Sequence, residues 1–150
     1  MPADAGLLLL AAEGGAEIQR VTRLPAGPLL IGRDPPTGGL AIPQGAVSRL
    51  HARIAPGEAG FEVIDLDSRN GVIKSGVRIR RAPLEHGELL HVGNALFKFF
   101  ETGIGAHERA GHLPSGFEDV VAGPALGPVI SDLAVVARTD LSVVILGQTG

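Results

Sequence analysis

The sequence predicts an all-β domain over its first hundred residues, an antiparallel sandwich of about 10–11 short strands. Three observations lead there. The 150-residue chain carries 22 Gly and 11 Pro, a composition that suits short strands joined by turns better than a helical bundle. Apolar and polar residues alternate in short stretches, as on strands with one buried face. Turn signals return about every 8–12 residues, the rhythm of a sandwich. Past Gly123 the pattern changes, and an incomplete α/β element set is expected instead.

In chain order, GLLLL (6–10) and AEIQRV (16–21) flank a Gly pair and read as a hairpin. PLLIG (28–32) is a strand running into Arg33, and LAIP (40–43) is a short strand ended by Pro43. HARIAP (51–56) alternates, with Ala52 and Ile54 on one face; GFEVIDL (60–66) does the same with Phe61 and Val63. Asn70-Gly71 then reads as a type I′ hairpin turn, because that turn needs positive φ at both central residues. VIK (72–74), VRIR (77–80), ELLHV (88–92) and ALFKFFE (95–101) complete the strands. Residues 102–118 have no periodicity and read as linker. From 124 to 140, Leu126, Val129, Ile130, Leu133, Val136 and Ala137 fall at helical spacing. LSVVILG (141–147) is a continuous apolar run, as in a strand buried on both faces of a parallel sheet.

Composition excludes several function classes. Aromatic residues are 3% of the chain, so base stacking has few candidates, and a net charge of −3 argues against a general nucleic-acid or membrane-surface binder. The charge is uneven: residues 1–100 hold 11 of the 13 Lys and Arg, clustered near turns. With no Cys there is neither a disulfide nor a thiolate metal site. His86 and His91 stand at no ligand spacing with His51, His107 or His112, so no metal and no cofactor are expected. GLLLLAA (6–12) is short and follows Asp4 with no preceding basic residue, which is unlike a signal peptide, and no stretch reaches the roughly 18 apolar residues of a membrane span. A cytoplasmic location is the expectation.

Four pieces carry the chemistry: IGR (31–33), SRLH (48–51), DSRNG (67–71) and LEHGELLHVG (84–93). Their order and separations resemble the forkhead-associated (FHA) domain, a phosphothreonine-peptide-binding β-sandwich, over residues 6–100. A phosphothreonine brings nearly two negative charges and three acceptor oxygens, and the planar fork of Arg suits it. The resemblance implies that Arg33 and Ser48 contact the phosphate, that Asn70 bonds the peptide backbone beside it, and that Gly32, His51, Ser68 and Gly71 support the site. An amide side chain offers both a donor and an acceptor, which fits the reading of an extended main chain. Arg49 stands where some family members contact peptide or phosphate; a solvated Arg is the other reading. Arg69 stands where Thr, Ser or Arg is frequent, and it is either part of the clamp or a bystander. A catalytic Ser48/His51 pair is rejected: the comparison makes His51 a brace for the loop of Ser48, and no Gly-x-Ser-x-Gly elbow is present. Val72 replaces a frequent Thr, Ser75-Gly76 replaces a frequent Asn-Gly, and Glu88 stands for an Asp.

Residues 123–150 resemble the start of the AAA+ domain of sigma-54-dependent transcription activators, in which a helix and a buried strand lead into a Walker A loop. Gly147, Thr149 and Gly150 match that loop; its Lys does not follow within this sequence, so no nucleotide binding and no enzyme activity are expected. The expected organisation is an FHA-type sandwich at 1–101, a linker at 102–122 and the edge of an AAA+ domain at 123–150. The implied partner is a phosphothreonine-containing protein downstream of a Ser/Thr kinase, with no nucleic acid and no membrane. The alternative is a phosphate-independent interaction or oligomerisation domain of the same architecture.

Overall fold

The computed structural model describes residues 4–13 and 18–109. The expectations for residues 123–150, including Gly147, Thr149 and Gly150, lie outside the described residues. Eleven strands occur in order: β1 Gly6–Ala12, β2 Val21–Arg23, β3 Leu29–Gly32, β4 Leu40–Ala41, β5 Ala52–Gly57, β6 Gly60–Asp65, β7 Val72–Lys74, β8 Val77–Ile79, β9 Arg81–Leu84, β10 Leu89–Val92 and β11 Ala95–Phe100. One helix follows, α1 Ile104–Arg109. A six-stranded sheet has the order β2-β1-β11-β10-β7-β8, and a five-stranded sheet has the order β4-β3-β5-β6-β9. Neighbours are antiparallel except β3 and β4, which run parallel for two residue pairs.

The alternation read from sequence decides which side chains face inward. Leu7, Leu90, Val92, Phe97 and Phe99 of the first sheet meet Leu29, Ile31, Ile54, Phe61 and Val63 of the second in one buried cluster. Phe61 and Phe99 touch edge to face across the sandwich, with ring centres 5.8 Å apart. Such aromatic pairs add about 0.5–1.5 kcal/mol beyond their area.

The structure corrects three local expectations. The Asn70-Gly71 turn is not a hairpin. β6 pairs with β5 and β9, whereas β7 pairs with β8 and β10 in the other sheet, so residues 66–71 carry the chain across the sandwich. Only Gly71 of the pair has positive φ, at 77°. The two-residue hairpin lies one step later, where Ser75 (φ 45°) and Gly76 (φ 86°) join β7 to β8. β9 has no counterpart among the strands read from sequence, and it contains Pro83. Its place at a sheet edge explains how Pro is tolerated there.

The third correction concerns residues 104–109, read as linker but forming α1. Ile104 is fully buried with Leu8 and Phe100 in a second, smaller cluster on the outer side of β1 and β11. Asp4 holds the helix start: its carbonyl accepts from Ile104 N–H at 3.1 Å, and its Oδ1 accepts from Gly105 N–H at 3.0 Å. Arg23 bridges Asp4 and Glu108 at 2.9 and 2.6 Å. These contacts come from residues about a hundred positions away, which local sequence patterns do not register.

Candidate functional site

Register puts the chemistry-bearing loops at one end of the sandwich. In the second sheet Ile31, Ala52 and Asp65 stand side by side at the last paired level, and in the first sheet Val92, Val72 and Ile79 do the same. The segments 33–39, 42–51 and 66–71 leave from these levels.

The loop that holds Ser48 is fixed by backbone contacts to the end of β3. Arg33 N–H donates to Ser48 O at 2.9 Å, and Asp34 N–H donates to Arg49 O at 3.2 Å. This approach requires Gly32, because a Cβ there would sit 2.0 Å from the Arg49 carbonyl oxygen. His51, fully buried, ties the two loops together. Ser48 N–H donates to its Nδ1 at 3.1 Å, so Nδ1 is the acceptor and the neutral ring carries its proton on Nε2, which donates to Gly71 O at 2.9 Å. The structure thus places His51 as a brace with both ring nitrogens engaged.

The 66–71 segment has its own staple. Asp65 Oδ1 accepts from Ser68 N–H at 3.3 Å and from the Ser68 hydroxyl, whose oxygen accepts from Gly71 N–H at 2.9 Å. Sequence reading recognised Ser68 as a turn hydroxyl but missed Asp65 as its partner; the Asp-x-x-Ser spacing of a side-chain-closed turn was the available signal.

Above this frame, Arg33, Ser48, Arg49 and Arg69 line a cleft of about 220 Å³ together with residues 45–47. The guanidinium groups of these arginines have no hydrogen-bond or ion-pair partner among the described residues. Ser48 Oγ accepts from Arg69 N–H at 3.0 Å, which leaves its own proton to donate outward. Asn70 is exposed; its Nδ2 donates one proton to Ala46 O at 2.7 Å, and its Oδ1 and second proton have no partner among the described residues. An open cluster of cationic forks beside a hydroxyl donor is suited to a phosphate dianion.

Glu88 stands away from the cleft, immediately before β10. Its carboxylate meets Lys74 Nζ at 2.7 Å and caps Glu85 N–H at 2.9 Å, closing the turn before β10. Burial works against its charge, but the Lys74 and Glu85 hydrogen bonds and the Lys74 charge outweigh that, and its pKa lies below the ordinary carboxyl value. Among the described residues, no group of three or more His, Asp or Glu is placed to hold a metal ion, and no helix is long and apolar enough to cross a membrane.

Residues 29–93 match the family model of the FHA domain. These residues form an FHA domain. The ABC transporter ATP-binding/permease protein Rv1747 of Mycobacterium tuberculosis is 33% identical to this chain over 86 residues, 57% of the chain and 10% of that protein. The chain therefore spans about a tenth of the length of this curated relative. Among solved structures, the FHA domain of the CT664 protein from Chlamydia trachomatis superimposes with a TM-score of 0.56 at 29% identity, covering 66% of this chain and 98% of that one. Mycobacterium tuberculosis EmbR, solved in complex with a low-affinity phosphopeptide, gives a TM-score of 0.58 at 28% identity, covering 67% of this chain and 25% of that one. The FHA domain is a non-catalytic binding module. At His51 the ring accepts from the Ser48 backbone N–H, not from its hydroxyl.

Proposed function

We propose that this FHA domain docks a phosphothreonine-containing peptide at the cleft of Arg33, Ser48, Arg49 and Arg69, with Asn70 holding the peptide backbone. The observation that carries the reading is the convergence of three guanidiniums, unpaired among the described residues, with a hydroxyl that accepts from Arg69 N–H and keeps its own proton to donate. The neighbour EmbR was solved with a phosphopeptide, which supports the same class of ligand here. Arg69 is then part of the clamp, since its N–H fixes Ser48 and its side chain lines the same cleft. The ligand would come from a Ser/Thr kinase pathway.

The test is calorimetric titration with a phosphothreonine peptide and its unphosphorylated twin. The phosphorylated form should bind at least about 30-fold tighter, and Arg33→Ala should remove most of the difference, because charge-assisted hydrogen bonds are worth about 1.5–3 kcal/mol each. Equal affinities for the two peptides would instead favour phosphate-independent assembly.

For the longer protein, the GPALGPVISDLAVVARTDLSVVILGQTG stretch (123–150) supports a place at the front of a sigma-54-dependent activator. The curated relative carries its similar segment in an ABC transporter. Genomic sequence beyond Gly150 that continues into a Lys-containing Walker A loop and a helix-turn-helix would decide for the activator.

A further inference from the structure

We propose that Arg78 forms a second anion-reading position on the far side of the Asn70 loop, selecting phosphopeptides that carry another anionic side chain; this rests on the phosphopeptide reading above. The 66–71 segment separates two clefts. The first holds Arg33, Arg49 and Arg69; the second, of about 330 Å³, is lined by Asp65, Asp67, Ser68, Arg78, Ile79 and Arg80. β8 returns to the site end through its pairing of Ile79 with Val72, so Arg78 and Arg80 arrive beside the loop that presents Asn70.

Arg78 is held there by shape. A Cβ on Gly71 would lie 2.5 Å from Arg78 Nε and 2.8 Å from Cζ, so the guanidinium rests against the bare backbone of Gly71, next to Asn70. It is exposed and has no ion pair or hydrogen bond among the described residues. Two carboxylates share the cleft and leave it free: Asp65 Oδ1 is taken by Ser68, and no ion pair joins Asp67 to Arg78 or Arg80. Arg78 shares this lack of an ion pair with Arg80 in the same cleft and with the arginines of the first cleft, whereas Arg23 pairs with Asp4 and Glu108 and Arg81 with Glu62. A peptide crossing Asn70 with its phosphothreonine in the first cleft passes over Arg78. A carboxylate or a second phosphate at that point meets a preplaced fork.

The experiment uses the full chain and a peptide set built on one phosphothreonine sequence, with Ala, Asp or phosphoserine stepped through the positions on either side. At the best position, the Asp and phosphoserine peptides should bind at least about fivefold tighter than the Ala peptide, phosphoserine more so. Arg78→Ala should erase that gain while leaving the Ala peptide unchanged, and Arg78→Glu, verified as folded by its amide spectrum, should invert it. Arg33→Ala should weaken every peptide. A wild-type chain that shows no gain at any position, or a gain that survives Arg78→Ala, overturns the role of Arg78 and leaves the phosphothreonine site standing. A wild-type chain that binds none of the phosphopeptides overturns both.

Discussion

Ser48 is presented by contacts that come from three separate parts of the chain: its carbonyl receives Arg33 N–H, its N–H reaches His51 Nδ1, and its Oγ receives Arg69 N–H. The weight at this scale falls on His51. Replacing it by Ala removes a fully buried ring and takes their partners from the part-buried Ser48 N–H and the buried Gly71 carbonyl, each costing about 1–3 kcal/mol. Urea denaturation of His51→Ala should show a loss of about 3 kcal/mol or more, together with weaker phosphopeptide binding; a loss of a few tenths would contradict the brace. Gly32→Ala tests the same frame from the other side. The added methyl meets the Arg49 carbonyl oxygen at 2.0 Å, so the two loops must part, and phosphopeptide affinity should fall even though no cation has been removed. The backbone of Arg69, whose role the sequence leaves open, joins the same frame through its N–H bond to Ser48 Oγ.

At the scale of elements, the β7–β8 hairpin and the turn before β10 carry the informative details. Ser75 sits at φ 45° in a two-residue turn, a region that Asn occupies more readily than Ser. Ser75→Asn should therefore stabilise the domain by a few tenths to about 1 kcal/mol, read as a raised urea midpoint at unchanged slope. Lys74 and Glu88 join β7 to the turn before β10, each about one-fifth exposed. Because the folded pKa of Glu88 lies below its ordinary 4.5, its contribution is fully present above that value and is lost as pH falls through the folded pKa. Glu88→Gln should flatten that part of the acid limb of stability, by no more than about 1 kcal/mol for so accessible a pair. Most of these elements were legible in the sequence. The strands that alternate, such as FEVID and ALFKFF, announced themselves by burying every second residue. Of the residues singled out by the motifs, Arg33, Ser48, Arg49 and Arg69 line one cleft. What escaped depended on partners far along the chain: Asn-Gly looks the same in a hairpin as in a crossover between sheets, and RAPL becomes a strand only because β6 offers it an edge. Arg78 escaped for the same reason, since a strand arginine reveals nothing until its neighbour across the loop proves to be Gly71.

At the scale of the whole described unit, α1 closes the sandwich on the face away from the core. Its attachment combines three kinds of contact: Ile104 inserted with Leu8 and Phe100, the Asp4 and Arg23 network, and the His107 ring against Phe100 with centres 4.5 Å apart. His86 touches the same Phe100 ring at 5.3 Å, and Lys98 lies 5.6 Å from its centre. The His107 pKa is lowered from 6.5, first by burial and then by the positive charges of Lys98 and Arg20. The sign follows from linkage. A released helix exposes an ordinary imidazole that takes up a proton below about 6.5, while the docked ring resists it, so acid favours release. Docking is at full strength above that value and weakens as pH falls through the docked pKa. Amide hydrogen exchange over residues 104–109 should therefore speed up, relative to the β11 amides, as pH is lowered from 7.5 to 5.5 after correction for the intrinsic pH dependence of exchange. His107→Phe keeps the ring on Phe100 and removes the titration, so its corrected exchange should show no such trend. A wild-type helix whose protection does not change over this interval would show that Ile104 and the Asp4–Arg23 network hold α1 without help from the imidazole.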